Sequence, residues 1–153
     1  MPERLWRPTG AARTLESMRA ANGFVSAVLR SPAHGLLSGS TGLVRYTGRR
    51  SGRTFTTPTQ YASWDGGVVI LVGRPETKTW WRNFRAERPI DVLVRGRWTS
   101  MSARAMVGAD EPAAVAPRLD AYLQRFPRAA RTFGTATGED RARRAVVVWS
   151  RPR

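Results

Sequence analysis

Residues 43–72, "LVRYTGRRSGRTFTTPTQYASWDGGVVILV", decide the architecture. Leu43–Thr47 reads as a strand, Gly48–Gly52 as a turn and Thr54–Ser63 as the returning strand. Asp65-Gly66-Gly67 is a hairpin signal, because a tight reversal needs left-handed backbone that Asp and Gly tolerate. Val68–Val72 then reads as a buried strand in which β-branched side chains dominate. Pro58 cannot donate to a ladder, so its strand belongs at an edge or carries a bulge.

Working outward, residues 1–14 read as a flexible N-terminal arm. From Leu15 to Leu29, apolar residues recur at rough helical spacing (Leu15, Met18, Phe24, Val25, Val28, Leu29), interrupted at Asn22-Gly23. Pro32 stops that helix. Downstream, Lys78–Glu87 reads as a helix, with Pro89 just past its end. Ile90, Val92 and Val94 alternate up to a turn at Arg95-Gly96-Arg97, and Met101, Ala103, Ala105 and Val107 alternate along the next arm. Asp110–Arg125 reads as a helix, with Asp110 as N-cap and Pro112 in the first turn. Thr135–Arg143 is polar and reads as mobile; Ala145–Trp149 closes the chain as a strand. About six short antiparallel strands with helical insertions predict a mainly β, α+β protein: a small closed or half-closed barrel, one domain over residues 15–153.

Composition limits the chemistry. The 153 residues contain no cysteine, which excludes disulfides, thiolate metal sites and thiol nucleophiles. His34 is the only histidine, so multi-histidine zinc sites are excluded too. Net charge is +15, carried almost wholly by arginine, and Lys78 is the only lysine. Such a surface is either simply solvated or directed at an anion: a cofactor, a nucleic acid or an anionic membrane. No apolar run is long enough to span a bilayer, and the first residues lack the pattern of a secretory signal. A cytoplasmic protein is expected. The segment Leu15–Leu29, flanked by Arg19 and Arg30, is a candidate for peripheral membrane contact.

Two stretches can carry chemistry. In the first, glycines let backbone N–H groups approach a ligand, and Arg49, Arg50 and Arg53 can add charge-assisted hydrogen bonds to phosphate or carboxylate. An ordinary hairpin turn with solvated arginines is the alternative. The spacing is not that of a Walker loop. The second is "GRPETKTWWRNFRAERP", residues 73–89. Adjacent helical residues face directions about 100° apart, so one of Trp80 and Trp81 can be core while the other lines a cleft within reach of Asn83. His34 reads as an exposed loop residue or a proton donor. Asp110, Glu111 and Asp120 fit helix-end electrostatics. No nucleophile elbow, paired carboxylates or metal cluster is visible, so no catalytic side chain and no metal ligand is assigned. An enzyme of this composition would take its reactive atom from a cofactor.

"TGRRSGRTFTTPTQY", the hairpin "GGVVILVG" and "TWWRNFRAERPIDVLV" together resemble the deazaflavin-dependent nitroreductase family of actinobacteria, split β-barrel proteins related to flavin reductases. The match runs from about Leu43 to Val107. It implies binding of coenzyme F420, an 8-hydroxy-5-deazaflavin with a phospholactyl-oligoglutamate tail. By that resemblance Arg49, Arg50, Ser51 and Gly52 would hold the tail, and Thr56, Thr57 and Pro58 would run along the ring system. Trp80, Trp81 and Asn83 match the family's cofactor-contacting helix. The resemblance implies hydride delivery to an electron-poor small molecule: a quinone, an activated alkene or a nitro compound. The family's S-K-G-G-x-x-x-x-P-x-W loop is here the shorter "GRPETKTW", in which Gly73, Arg74 and Lys78 stand as replacements. Thr59-Gln60-Tyr61 stands in place of L-x-Y. Tyr61 and His34 are the substrate-side candidates. A homodimer is a further expectation, as split barrels often pair. The rivals are an FMN- or haem-binding protein of the same fold, a non-catalytic deazaflavin carrier, and a basic nucleic-acid-binding protein. The last has no recognisable motif behind it, so no nucleic-acid partner is expected.

Overall fold

The structure, a computed structural model, describes residues 41–153. The arm expected over residues 1–14, the segment Leu15–Leu29 and His34 lie outside the described residues.

Among the described residues, seven strands form one antiparallel sheet: β1 (Thr41–Thr47), β2 (Thr54–Gln60), β3 (Ala62–Trp64), β4 (Gly67–Leu71), β5 (Arg88–Val94), β6 (Arg97–Val107) and β7 (Val146–Pro152). Their order in space is β2-β1-β5-β6-β7-β4-β3. The two edge strands, β2 and β3, are consecutive in the chain with only Tyr61 between them. The sheet must therefore curl until its edges approach, which makes it a half-barrel. Seven strands replace the expected six because Tyr61 breaks the returning arm in two: Thr54–Gln60 stays with β1, and Ala62–Trp64 crosses to β4.

Local chemistry explains the turns. Asp65-Gly66 and Arg95-Gly96 both take positive φ, 46° and 73° for the first pair and 50° and 75° for the second. That backbone twist matches flanking antiparallel strands. Pro58 pairs with Leu43 on edge strand β2, where its missing N–H costs no ladder bond. Gly67 allows a close strand approach: a Cβ there would lie 2.1 Å from the Ser150 carbonyl oxygen.

Period-two alternation sorts the side chains. Val44, Tyr46, Val68, Ile70, Ile90, Val92, Met101, Ala103, Ala105 and Val148 fill the concave side, joined by Tyr61, Trp81 and Phe84. On the convex side Val69, Met106 and Val147 pack under helix α1 (Pro112–Arg125) through Val115, Leu119, Tyr122 and Leu123. Strands β4 and β7 are thus covered on both faces, and so read as continuous apolar runs rather than alternating ones.

Three expectations change. The helix expected over Lys78–Glu87 is only a 3-10 turn, Trp80–Phe84, because β5 already begins at Arg88 and takes Pro89 into its pairing with β6. Helix α1 starts at Pro112 after Glu111; Asp110 is not the N-cap. The stretch read as mobile contains helix α2 (Gly138–Arg143), which buries Ala142 against the α1 layer. Its polar face carries an exposed Arg143–Glu139 pair and Arg141, which reaches Asp120 on α1 at 3.2 Å.

Candidate functional site

The β1–β2 turn and the 3-10 turn meet to form a cleft of about 350 Å³. The β1–β2 turn is closed by its own backbone: Gly48 N–H donates to the Arg53 carbonyl at 2.8 Å, and Gly52 N–H to the Gly48 carbonyl at 3.0 Å. Gly52 takes a φ of 65°, which a side chain would strain. Gly48 is needed for space, since a Cβ there would lie 2.8 Å from Ser51 Oγ and 2.9 Å from Phe55 Cε2. Ser51 Oγ accepts a hydrogen bond from Arg53 N–H at 3.2 Å, which fixes the turn's tip.

Asn83 ties the two halves together. Its Oδ1 accepts from Arg49 N–H at 2.8 Å, and its Nδ2 donates to the Trp80 carbonyl at 2.7 Å. One side chain thereby sets the arginine turn against the indole. Trp80 is half-buried and lines the cleft, whereas Trp81 is buried and donates its indole N–H to the Pro75 carbonyl at 3.0 Å. The aromatic wall is continuous: Tyr46 stacks on Phe55 at 5.6 Å between centroids and lies 6.2 Å from Trp80. Burial pushes the Tyr46 phenol above its ordinary value, and a hydrogen bond with Thr57 draws it partly back. Tyr46 is therefore a neutral hydroxyl at physiological pH.

The rim is cationic. Arg49, Arg50 and Arg82 line the cleft, and none of its lining residues is an Asp or Glu. Arginine guanidinium groups facing a concave aromatic surface suit a planar ring that carries anionic groups. A wider depression of about 690 Å³ lies beside Trp98 and Met101. It is lined by Gly66, Gly67, Arg95 and Arg97 but lacks the stacked aromatic wall. Among the described residues no cluster of His, Asp or Glu could hold a metal ion, and no helix is long and apolar enough to cross a membrane.

Of the residues singled out from sequence, Arg49, Arg50, Ser51, Trp80 and Asn83 come together around this cleft. Gly52 shapes its turn. Thr56 and Thr57 are half-buried along β2, and Pro58 is exposed farther along the edge. Gly73, Arg74 and Lys78 are exposed and do not line the cleft; their loop is held by the Arg74 carbonyl, which accepts from Thr77 N–H and Lys78 N–H. Tyr61 is buried in the concave core, against Gly42. Sequence reading missed Tyr46, Phe55 and Arg82 as cleft residues. Tyr46 lies within the expected strand Leu43–Thr47, and nothing local says that a strand residue borders a ligand space. Arg82 is one of many arginines in the chain, and residue type alone does not tell a cleft arginine from a solvated one.

A curled antiparallel half-barrel with a cation-rimmed aromatic cleft at one hairpin defines a split-barrel, cofactor-binding protein. The solved structures similar to this one agree on the fold. An F420-H2-dependent reductase (FDR-A) superposes with a TM-score of 0.54 at 17% identity, covering 74% of this chain and 96% of its own. A domain-swapped dimer gives a TM-score of 0.54 at 14% identity, covering 89% of this chain and 97% of its own. No curated protein matches the chain in sequence. The model of the F420H(2)-dependent quinone reductase family matches residues 18–135, and the chain belongs to that family. It is an F420-dependent reductase, and coenzyme F420 is its cofactor.

Proposed function

We propose that the chain reduces an electron-poor small molecule (a quinone, an activated alkene or a nitro compound) with the coenzyme held in the cleft between residues 48–51 and 79–83. The observation that carries this reading is the cleft itself: three arginines and no carboxylate around a Tyr46–Phe55–Trp80 wall. Its chemistry fits the coenzyme at both ends. The aromatic wall offers a surface for a planar ring, and the arginine turn offers donors for a polyanionic tail.

When bound, reduced F420 supplies the hydride. The chain's residues do the rest. The Arg49 and Arg50 side chains bind anionic groups, on a turn whose Gly48, Arg49 and Gly52 N–H groups are already donated within the protein. Trp80, Tyr46 and Phe55 orient the ring and exclude water from one side of it. Asn83 keeps the two binding elements in register. The Tyr46 hydroxyl, neutral and bonded to Thr57, is one of the cleft's hydroxyl groups, with those of Ser51 and Thr79.

The test is a fluorescence titration with F420 beside FMN, followed by loss of reduced-coenzyme absorbance with a quinone, an enone and a nitroarene in turn. Binding of F420 with turnover of at least one acceptor supports the reading. Binding without turnover of any acceptor returns the carrier alternative, and preference for FMN defeats the cleft assignment. The membrane contact proposed for residues 15–29 is tested by flotation with anionic vesicles, and the proposed homodimer by sedimentation.

A further inference from the structure

The cleft holds a charge that the protein itself does not use. Arg82 is half-buried, and among the described residues its side chain has no hydrogen-bond or ionic partner; its buried Nε–H lacks an acceptor. Its guanidinium carbon lies 5.6 Å from the centroid of the Trp81 ring. Arg45, Arg104, Arg141 and Arg143, by contrast, each meet a carboxylate. A guanidinium N–H that gives up water without gaining an acceptor is unfavourable unless something else supplies the negative charge. None of the residues lining the cleft can do so.

The position of Arg82 is also well defined. It lies in the 3-10 turn between Trp81, anchored in the core through Pro75, and Asn83, anchored to Arg49. Arg49 and Arg50 are exposed and keep their water, whereas Arg82 has already lost part of its own. An anion reaching Arg82 therefore gains more than one reaching a fully solvated arginine, because less water must be displaced and screening is weaker.

We propose that Arg82 pairs with an anionic group of the coenzyme tail, phosphodiester or carboxylate, and so makes this site select a charged tail over a tail-less deazaflavin. This rests on the reading of the cleft as the coenzyme site. Arg82 lines the cleft, whereas Arg74 and Lys78 do not.

The experiment titrates the wild type, Arg82→Ala and Arg82→Lys with three ligands: the tail-less deazaflavin riboside, the form bearing only the phospholactyl group, and full F420. Thermal melting checks that each variant is folded. Arg82→Ala is expected to weaken binding of a charged-tail form at least about tenfold while leaving the tail-less form within about twofold. Arg82→Lys recovers part of the loss, since it keeps the charge but not the planar fork. A loss that begins with the phospholactyl form assigns the phosphodiester; a loss confined to full F420 assigns the glutamate carboxylates. No loss, or an equal loss for all three ligands, overturns the role of Arg82 while the cleft reading stands. If the wild type shows no preference for a charged tail, both are overturned.

Discussion

Asn83→Ala removes the one side chain, among the described residues, that hydrogen-bonds the arginine turn to the aromatic turn. Two hydrogen bonds go with it, one accepted from Arg49 N–H at 2.8 Å and one donated to the Trp80 carbonyl at 2.7 Å. Each is worth about 0.5–1.5 kcal/mol net. The Arg49 N–H is exposed, so water replaces its partner, and the loss falls toward the lower half of that range. If about 1–2 kcal/mol of coupling appears in binding, the dissociation constant for F420 rises roughly 5- to 30-fold. Turnover at saturating coenzyme should also fall, because a loosened Trp80 displaces the ring, and about 1 Å of misplacement can cost on the order of 100-fold. Asn83→Asp separates geometry from charge. It keeps an acceptor for Arg49 N–H, loses the donor to Trp80, and puts a carboxylate among Arg49, Arg50 and Arg82. At low salt it should bind F420 more weakly than the alanine variant, and the two should converge as salt screens the added charge. The assay is fluorescence titration at low and high ionic strength. An Asn83→Ala protein with wild-type affinity and wild-type turnover would refute the clamp.

The other outcomes follow from separate features. Arg49→Ala/Arg50→Ala should weaken F420 binding, each lost charge-assisted contact being worth about 1.5–3 kcal/mol, and added salt should weaken the wild type in the same direction; an unchanged titration curve removes the anion reading of the turn. Gly67→Ala must push β4 away from β7, because the new Cβ would meet the Ser150 carbonyl; overpacking of about 1–3 kcal/mol lowers Tm by roughly 2–12 °C, and an unshifted melt contradicts the strand contact. Burial raises the phenols of Tyr46 and Tyr122 above their ordinary value of 10.0. The folded state then holds those protons more tightly than the unfolded state. Stability is full below the unfolded value and falls as pH rises through the folded one, and Tyr122→Phe should flatten that alkaline limb in urea melts taken across it. His34→Ala should keep most turnover, since no catalytic role is assigned to a side chain; abolished turnover with coenzyme still bound would place an essential proton transfer on the protein.

Much of this protein was legible in its sequence. The hairpin at Asp65-Gly66, the turn at Arg95-Gly96 and the edge position of Pro58 rest on backbone conformations that only certain residues tolerate, and that preference acts within a few residues. The arginines at 49 and 50 were visible for the same reason, being placed on a glycine turn by their neighbours. Tertiary structure decided what depends on distant chain. Tyr61 looks like the middle of a strand, but it becomes a break because β2 pairs with β1 while β3 pairs with β4 on the opposite edge of the curled sheet. The polar stretch after Thr135 looks mobile, but Ala142 finds a buried place against the α1 layer and a helix forms around it. Trp80 and Trp81 cannot be told apart by residue type; the Pro75 carbonyl claims the Trp81 indole, and the other ring is left to line the cleft. Asn83 reads as a ligand contact until Arg49, 34 positions away, is seen to donate to it. Hydrogen bonds and burial of that kind are set by which surfaces the fold brings together, and a periodicity within one segment carries no record of what lies across from it.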